Sequence, residues 1–370
     1  MNPKEKVQEL LSLAGATING PNPYDPQVYD ERLYDRILAG GSLALGEAYM
    51  DGWWDTEDLA EFFNKILRAQ LDKRVNPFSL LLHSLKARVM NRQSRSRATQ
   101  VAKEHYDLGN DLYQAMLDKS TLSYTCAYCD GCDTLEAAQE QKLDLLCRKI
   151  DLKQGEHVLD IGCGFGGFAK YAAEKYGVRV TGISVSKQQI ELARERTKGL
   201  PVEIRFEDYR DTKGQFDHIV SIEMIEAVGH KNFRTFFKKA HELLKPGGFF
   251  GLQAIVGYES DVTTEPWIDK YIFPNGMLPS IKQIGHAIEN LFVAEDWHNF
   301  GADYDRTLTQ WFNNFNSAWP ELKEKYNERF YRMWKYYLLC CAGSFRARNN
   351  QLFQVVLSKG GVDGVYQAVR

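Results

Sequence analysis

From about residue 157 onward, short apolar runs and amphipathic stretches take turns along the chain. Residues 158–162 read as a strand, 166–176 as a helix that stops at Gly177, and 178–185 as a second strand. Ser186 then opens another helix, where Gln189 three residues on is expected to complete a capping box. Further strands are expected over 202–206, 216–224 and 248–255, with a helix from about 232 to 244 ended by Pro246-Gly247-Gly248. This alternation predicts an α/β fold: a Rossmann-like, doubly wound parallel sheet that takes its ligand at the carboxyl ends of the strands.

Outside that rhythm, residues 1–85 read as a small helical or mixed domain with turns at Gly40-Gly41 and Asp51-Gly52-Trp53-Trp54. Residues 86–106 follow as a basic linker carrying Lys86, Arg88, Arg92, Arg95, Arg97 and Lys103, and 107–370 as the catalytic domain. An aromatic and proline-rich stretch, Pro266 to Pro274, interrupts the alternation and is expected to cap the site.

Composition narrows the partners. With 44% hydrophobic residues the chain can build a sizeable core, and 46 Lys and Arg against 49 Asp and Glu give a field too weak to draw in a polyanion, which argues against nucleic acid. No run approaches the ~18 apolar residues of a membrane span, and the first residues lack the apolar core of a secretory signal, so a cytoplasmic protein is expected. Seven cysteines, an odd number scattered through a long chain, suggest reduced thiols. Cys126, Cys129 and Cys132 have a metal-like spacing, but the fourth cysteine followed by proline that a cluster motif needs is absent.

The most informative segment is His157 to Gly167, where a strand ending in Asp160 runs directly into Gly162, Gly164, Gly166 and Gly167 and then a helix. Glycines there let the backbone approach a ligand. Their spacing also satisfies the dinucleotide pattern, so spacing alone does not decide. The end of the second strand does better: Ser184, Ser186 and Gln189 offer hydroxyls and an amide but no ribose-binding carboxylate, and the segment resembles the S-adenosylmethionine methyltransferases. Asp208 and Tyr209, at the end of the third strand, could hold an adenine ring or form an ordinary surface turn. After the fourth strand, Glu223 and Glu226 lie in an apolar run, where each must be paired, solvent-facing or functional.

Several segments together are similar to the cyclopropane-fatty-acyl-phospholipid synthases: His105-Tyr106-Asp107-Leu108-Gly109-Asn110, Tyr124-Thr125-Cys126-Ala127-Tyr128, the glycine loop, Trp297 to Tyr304, and Cys341 to Arg346. The resemblance runs from about residue 10 to the C-terminus. It implies that the cis double bond of an acyl chain in a membrane phospholipid attacks the sulfonium methyl of S-adenosylmethionine, after which a proton is lost as a cyclopropane closes and S-adenosylhomocysteine (SAH) leaves. It implies donor contacts at Tyr124, Thr125, Gly162, Gly164, Ser184, Gln189 and Tyr209, and Asp160 and Asp208 join these candidates from their places near the ends of the first and third strands. A bound bicarbonate is implied as the base, held by Cys126, Glu226, Gln253, Ile255 and Tyr304. Cys341 matches a cysteine once proposed as a nucleophile, although the chemistry needs no covalent enzyme intermediate.

An aromatic lining of Tyr271, Phe273 and Tyr304 would exclude water and favour a passing carbocation. Glu226 could act protonated, donating to the anion, or ionised, stabilising the cation. Three departures stand out: Gln253 where some relatives have histidine, Ala227 where histidine is common, and Cys129 in place of an aromatic residue. They bear on bicarbonate binding and on whether a ring or a methyl or methylene branch results. Because the substrate lies in a bilayer, the protein is expected at the inner membrane face, docked in part by the strip from Lys86 to Lys103, and a homodimer is implied by the resemblance. A small-molecule methyltransferase and a non-catalytic lipid- or nucleotide-binding module are the competing readings.

Overall fold

The computed structural model describes residues 2–74 and 109–370. The strip from Lys86 to Lys103 and the first four residues of the His105 motif lie outside them. The chain divides into two compact units that interleave along the sequence: residues 1–90, 262–274 and 304–350 form one, and 91–261, 275–303 and 351–370 the other. The expected contiguous division at 86–106 therefore needs correction, because two later segments cluster with the N-terminal one.

Packing explains the interleaving. In the first unit the helix Glu328–Arg346 lies on the helix Leu59–Arg68, and at Gly343 a side chain would collide with the Ala60 carbonyl and the Phe63 Cβ. Arg346 then reaches both Glu61, at 3.1 Å, and Asp305, at 2.9 Å. Trp267, buried, gives its indole N–H to the Met50 sulfur at 3.3 Å.

The second unit is a seven-stranded sheet: β1 His157–Ile161, β2 Arg179–Ser184, β3 Val202–Phe206, β4 His218–Ile222, β5 Phe249–Gly257, β6 Val293–Asn299 and β7 Asn350–Ser358. Its order is 3-2-1-4-5-7-6, with β1 to β5 parallel and β6 antiparallel to β7. Successive side chains of a strand point to opposite faces, and both faces are buried here. Leu159, Ile161 and Ile219 pack with Phe236, Phe237 and Ala240 of the helix Phe233–Leu243, whereas Val158, Val180 and Val220 pack with Leu146, Phe168 and Ile190. Such continuous burial on two faces is what a doubly wound sheet requires, and it matches the expected fold class.

Two local expectations fail. The strand expected over 216–224 stops at Ile222, because Glu223 has a φ of 50° and leaves the extended region. The capping box does not form: Ser186 precedes the helix Lys187–Arg196 but makes no side-chain cap bond, and its own N–H instead goes to the Ser184 hydroxyl at 3.2 Å.

Candidate active site

The donor side of the site is built at the ends of β1 and β2. Gly162 has a φ of 87°, and a Cβ there would lie 2.6 Å from the Met224 Cγ, so the position tolerates only glycine. The Gly162 and Cys163 N–H groups both bond the Ile183 carbonyl, at 2.9 and 3.1 Å, which fixes the start of the loop against β2. Gly166, with a φ of 78°, starts the helix Gly167–Tyr176. The Arg196 guanidinium bonds the carbonyls of Thr121 (2.9 Å), Phe165 (2.7 Å) and Ser120 (2.8 Å), and so ties the 120–125 segment to the glycine loop. This segment carries two of the expected donor contacts. Tyr124 packs edge-on against Tyr113 at 5.1 Å, and Thr125 gives its carbonyl to Gln139 and its hydroxyl oxygen to Lys142, each at 2.8 Å.

Asp160 is 2% exposed, and its Oδ2 has no hydrogen-bond partner. Burial pushes its carboxyl up to about 7, against the pull of Lys142. Gln189 is buried and Ser184 half-buried. Asp208 is held by Arg210 through two contacts of 2.8 Å, and the Tyr209 ring packs edge-on to Phe236 within the core, where burial pushes its phenol up to about 12.

The second half of the site lies at the ends of β4 and β5. Glu226 Oε1 accepts the Ile255 N–H at 2.6 Å, while its Oε2 is closed off from solvent and has no partner. Burial, followed by the charge of Glu223, pushes the Glu226 carboxyl up to about 8, so it is protonated at neutral pH. Glu223 is placed differently. Its Oε1 accepts the Cys126 N–H at 2.9 Å and the Gln253 amide at 2.8 Å. Gln253, fully buried, is oriented by Gln354, whose amide donates to the Gln253 Oε1 at 2.9 Å, and its Nε2 also reaches the Cys126 carbonyl at 3.3 Å.

Of the residues expected to hold bicarbonate, Cys126, Glu226, Gln253 and Ile255 come together in this unit, whereas Tyr304 and Cys341 belong to the first unit. There the Tyr304 ring packs 4.5 Å from Phe345, and Cys341 is half-buried on the helix Glu328–Arg346. Tyr271 and Phe273 are in the same unit, Tyr271 donating to Glu47 at 2.9 Å and Phe273 edge-on to Tyr337 at 5.8 Å. The residues of the second unit do not fit a resident small anion. The Ile255 N–H serves Glu226, the Cys126 N–H and Gln253 serve Glu223, and an anion would sit against a carboxylate.

The expectation of reduced thiols is corrected in one place, since Cys129 and Cys132 are joined as a disulfide; the three-residue separation lets one loop bring both sulfurs together. Among the described residues no group of His, Cys, Asp and Glu could hold a metal, and no helix is long and apolar enough to cross a membrane.

Sequence reasoning missed Glu223 as a site residue, and with it Lys142, Gln139, Arg196 and Gln354. One signal was available: Gln139 and Lys142 fall on the same stripe of the helix Leu135–Lys149 as Leu135, Ala138, Leu143 and Leu146, and a polar residue on a buried stripe needs a partner.

The strand order and the glycine loop define the class: a Rossmann-like methyltransferase fold of the kind that uses S-adenosylmethionine. Among solved structures, cyclopropane synthase MmaA2 from Mycobacterium tuberculosis superposes with a TM-score of 0.66 at 29% identity, covering 70% of this chain and 98% of that one. Mycolic acid cyclopropane synthase CmaA1, complexed with SAH and CTAB, gives the same TM-score, identity and coverage. The cyclopropane-fatty-acyl-phospholipid synthase of Escherichia coli (strain K12) is 52% identical over 360 residues, 97% of this chain and 94% of that protein. The family model described as mycolic acid cyclopropane synthetase matches residues 93–355, and the chain belongs to that family.

Proposed function

We propose that the protein transfers a methylene group from S-adenosylmethionine to the cis double bond of an acyl chain in a membrane phospholipid, giving a cyclopropane and SAH. The observation that carries this reading is the identity to a phospholipid-acting cyclopropane synthase along nearly the whole chain.

The geometry supports the chemistry. Met224 touches the Gly162 position, so the acid segment that follows β4 lies directly against the donor loop. An uncharged alkene is a weak nucleophile and reacts only when held in line with the sulfonium methyl, which fixed backbone at both strand ends provides. Glu226, protonated and cut off from water, adds no second negative charge to trap the cation that forms. Bicarbonate, the base implied by the resemblance, finds its donors in this unit engaged, so no step is routed through it here.

The protein acts from the membrane surface, where a soluble fold must reach an acyl chain within the bilayer. The test is SAH release on vesicles of a cis-monounsaturated phospholipid against vesicles of its saturated counterpart. Release on the unsaturated vesicles alone is expected; equal release on both, or on neither, overturns the reading.

A further inference from the structure

Glu223 is held in a way that its backbone disfavours. A non-glycine residue at a φ of 50° is strained, and such strain persists where the surroundings over-determine it. Here they do. The Glu223 N–H bonds the Gln253 carbonyl at 2.8 Å, and its Oε1 takes the Cys126 N–H and the Gln253 amide, contributions from segments 97 and 30 residues away. Two donors from distant segments thus converge on one carboxylate oxygen.

The buried Lys142 ammonium, bonded to the Thr125 hydroxyl, interacts favourably with Glu223 first, then with Asp118, Cys126 and Asp160. Glu226 lies three residues on and has the opposite environment, with one backbone donor and an orphaned oxygen. Two nearby carboxyls thus have opposite surroundings, one engaged by two donors and the other closed off with an oxygen left over.

We propose that Glu223 is a catalytic residue of this protein: its carboxylate occupies the donor set of Cys126 and Gln253 and serves as the base that a free bicarbonate would otherwise provide. The inference rests on the function proposed above. The alkene π electrons form a bond to the sulfonium methyl carbon as the carbon–sulfur bond breaks, its electrons remaining on sulfur as SAH. Glu223 takes a proton from that former methyl carbon, and the released carbon–hydrogen electrons form its bond to the cationic carbon at the far end of the former double bond, closing the ring. Glu223, now a neutral acid, returns the proton to solvent. The former methyl carbon is one carbon removed from the cationic centre, and because the carbon–hydrogen electrons go directly into the closing bond, a hydrogen-bonded carboxylate is base enough.

The test is turnover on unsaturated phospholipid vesicles in carbon dioxide-free buffer, with and without added bicarbonate. The wild type is expected to turn over equally, within about twofold, in both; Glu223→Gly is expected to lose activity without bicarbonate and regain at least tenfold with it, because the Cys126 N–H and Gln253 are then released. Glu223→Gln keeps the hydrogen bonds without the base and is expected to be inactive in either buffer. A wild type that makes cyclopropane only with added bicarbonate, or a Glu223→Gln variant with wild-type turnover, overturns this assignment alone. A wild type that makes none in either buffer overturns the proposed function itself. The wild-type arm decides the matter even where a variant fails to fold.

Discussion

The two halves of the site are built by opposite means. The glycine loop of the donor half is local: Gly162, Gly164 and Gly166 fall within five residues, and each takes a positive φ. The acid half is assembled from a distance, with Glu223 joined to Cys126 across 97 residues and Gln253 joined to Gln354 across 101. A loop against which a ligand must pack closely needs backbone free of side-chain bulk, which glycine spacing supplies. A region that buries two carboxyls side by side needs aimed donors from distant segments, which only tertiary structure supplies.

This contrast can be broken in solution. The largest effect is expected from Glu223→Gln, which removes the proposed base and should cut turnover by about 10³-fold while donor affinity stays within about threefold, because general acid–base groups contribute roughly 10²–10⁴-fold. SAH release and titration calorimetry measure the two. A parallel loss of donor affinity would merge the halves.

Next comes pH. Glu226 is pushed from 4.5 to about 8 and Asp160 from 3.8 to about 7, so between about pH 4 and 8 the folded chain holds protons that the unfolded chain has released. Stability therefore falls as pH rises through that window. Lys142, lowered from 10.5 to about 8 by burial, has the opposite sign and acts above pH 8. Denaturant titrations from pH 5 to 8 measure the fall, and Glu226→Gln should flatten part of it.

Gly162→Ala should act on the other half. Forcing a Cβ into a left-handed position against Met224 costs about 1–3 kcal/mol and should weaken donor binding more than it slows bound turnover. Smallest is Arg196→Met, which leaves three carbonyls without their donor and should lower stability by about 1–2 kcal/mol, raising the donor KM a few-fold with little change in kcat.

The same contrast explains what could be read from the chain. The sheet was legible because strands buried on both faces are continuous apolar runs: β1, β2 and β5 lie within two residues of their expected bounds. The glycine loop was legible for the same local reason. Glu223 was visible as an acid in an apolar run, but its partners were not, since nothing in the local pattern shows that Cys126 and Gln253 meet it. The interleaved units were hidden likewise, because the helix Glu328–Arg346 finds the N-terminal helices only by packing. The Ser186 capping box failed in company with a local competitor, since the Ser184 hydroxyl takes the Ser186 N–H that the Gln189 side chain would accept.

The central claim is that a carbon from the donor becomes part of a three-membered ring in a membrane lipid. Proton NMR of cis-monounsaturated phospholipid after incubation with the protein and S-adenosylmethionine tests it most directly. Strongly shielded ring-methylene protons should grow in as the olefinic signal declines; an unchanged olefinic signal, or a new methyl branch without ring protons, would contradict it.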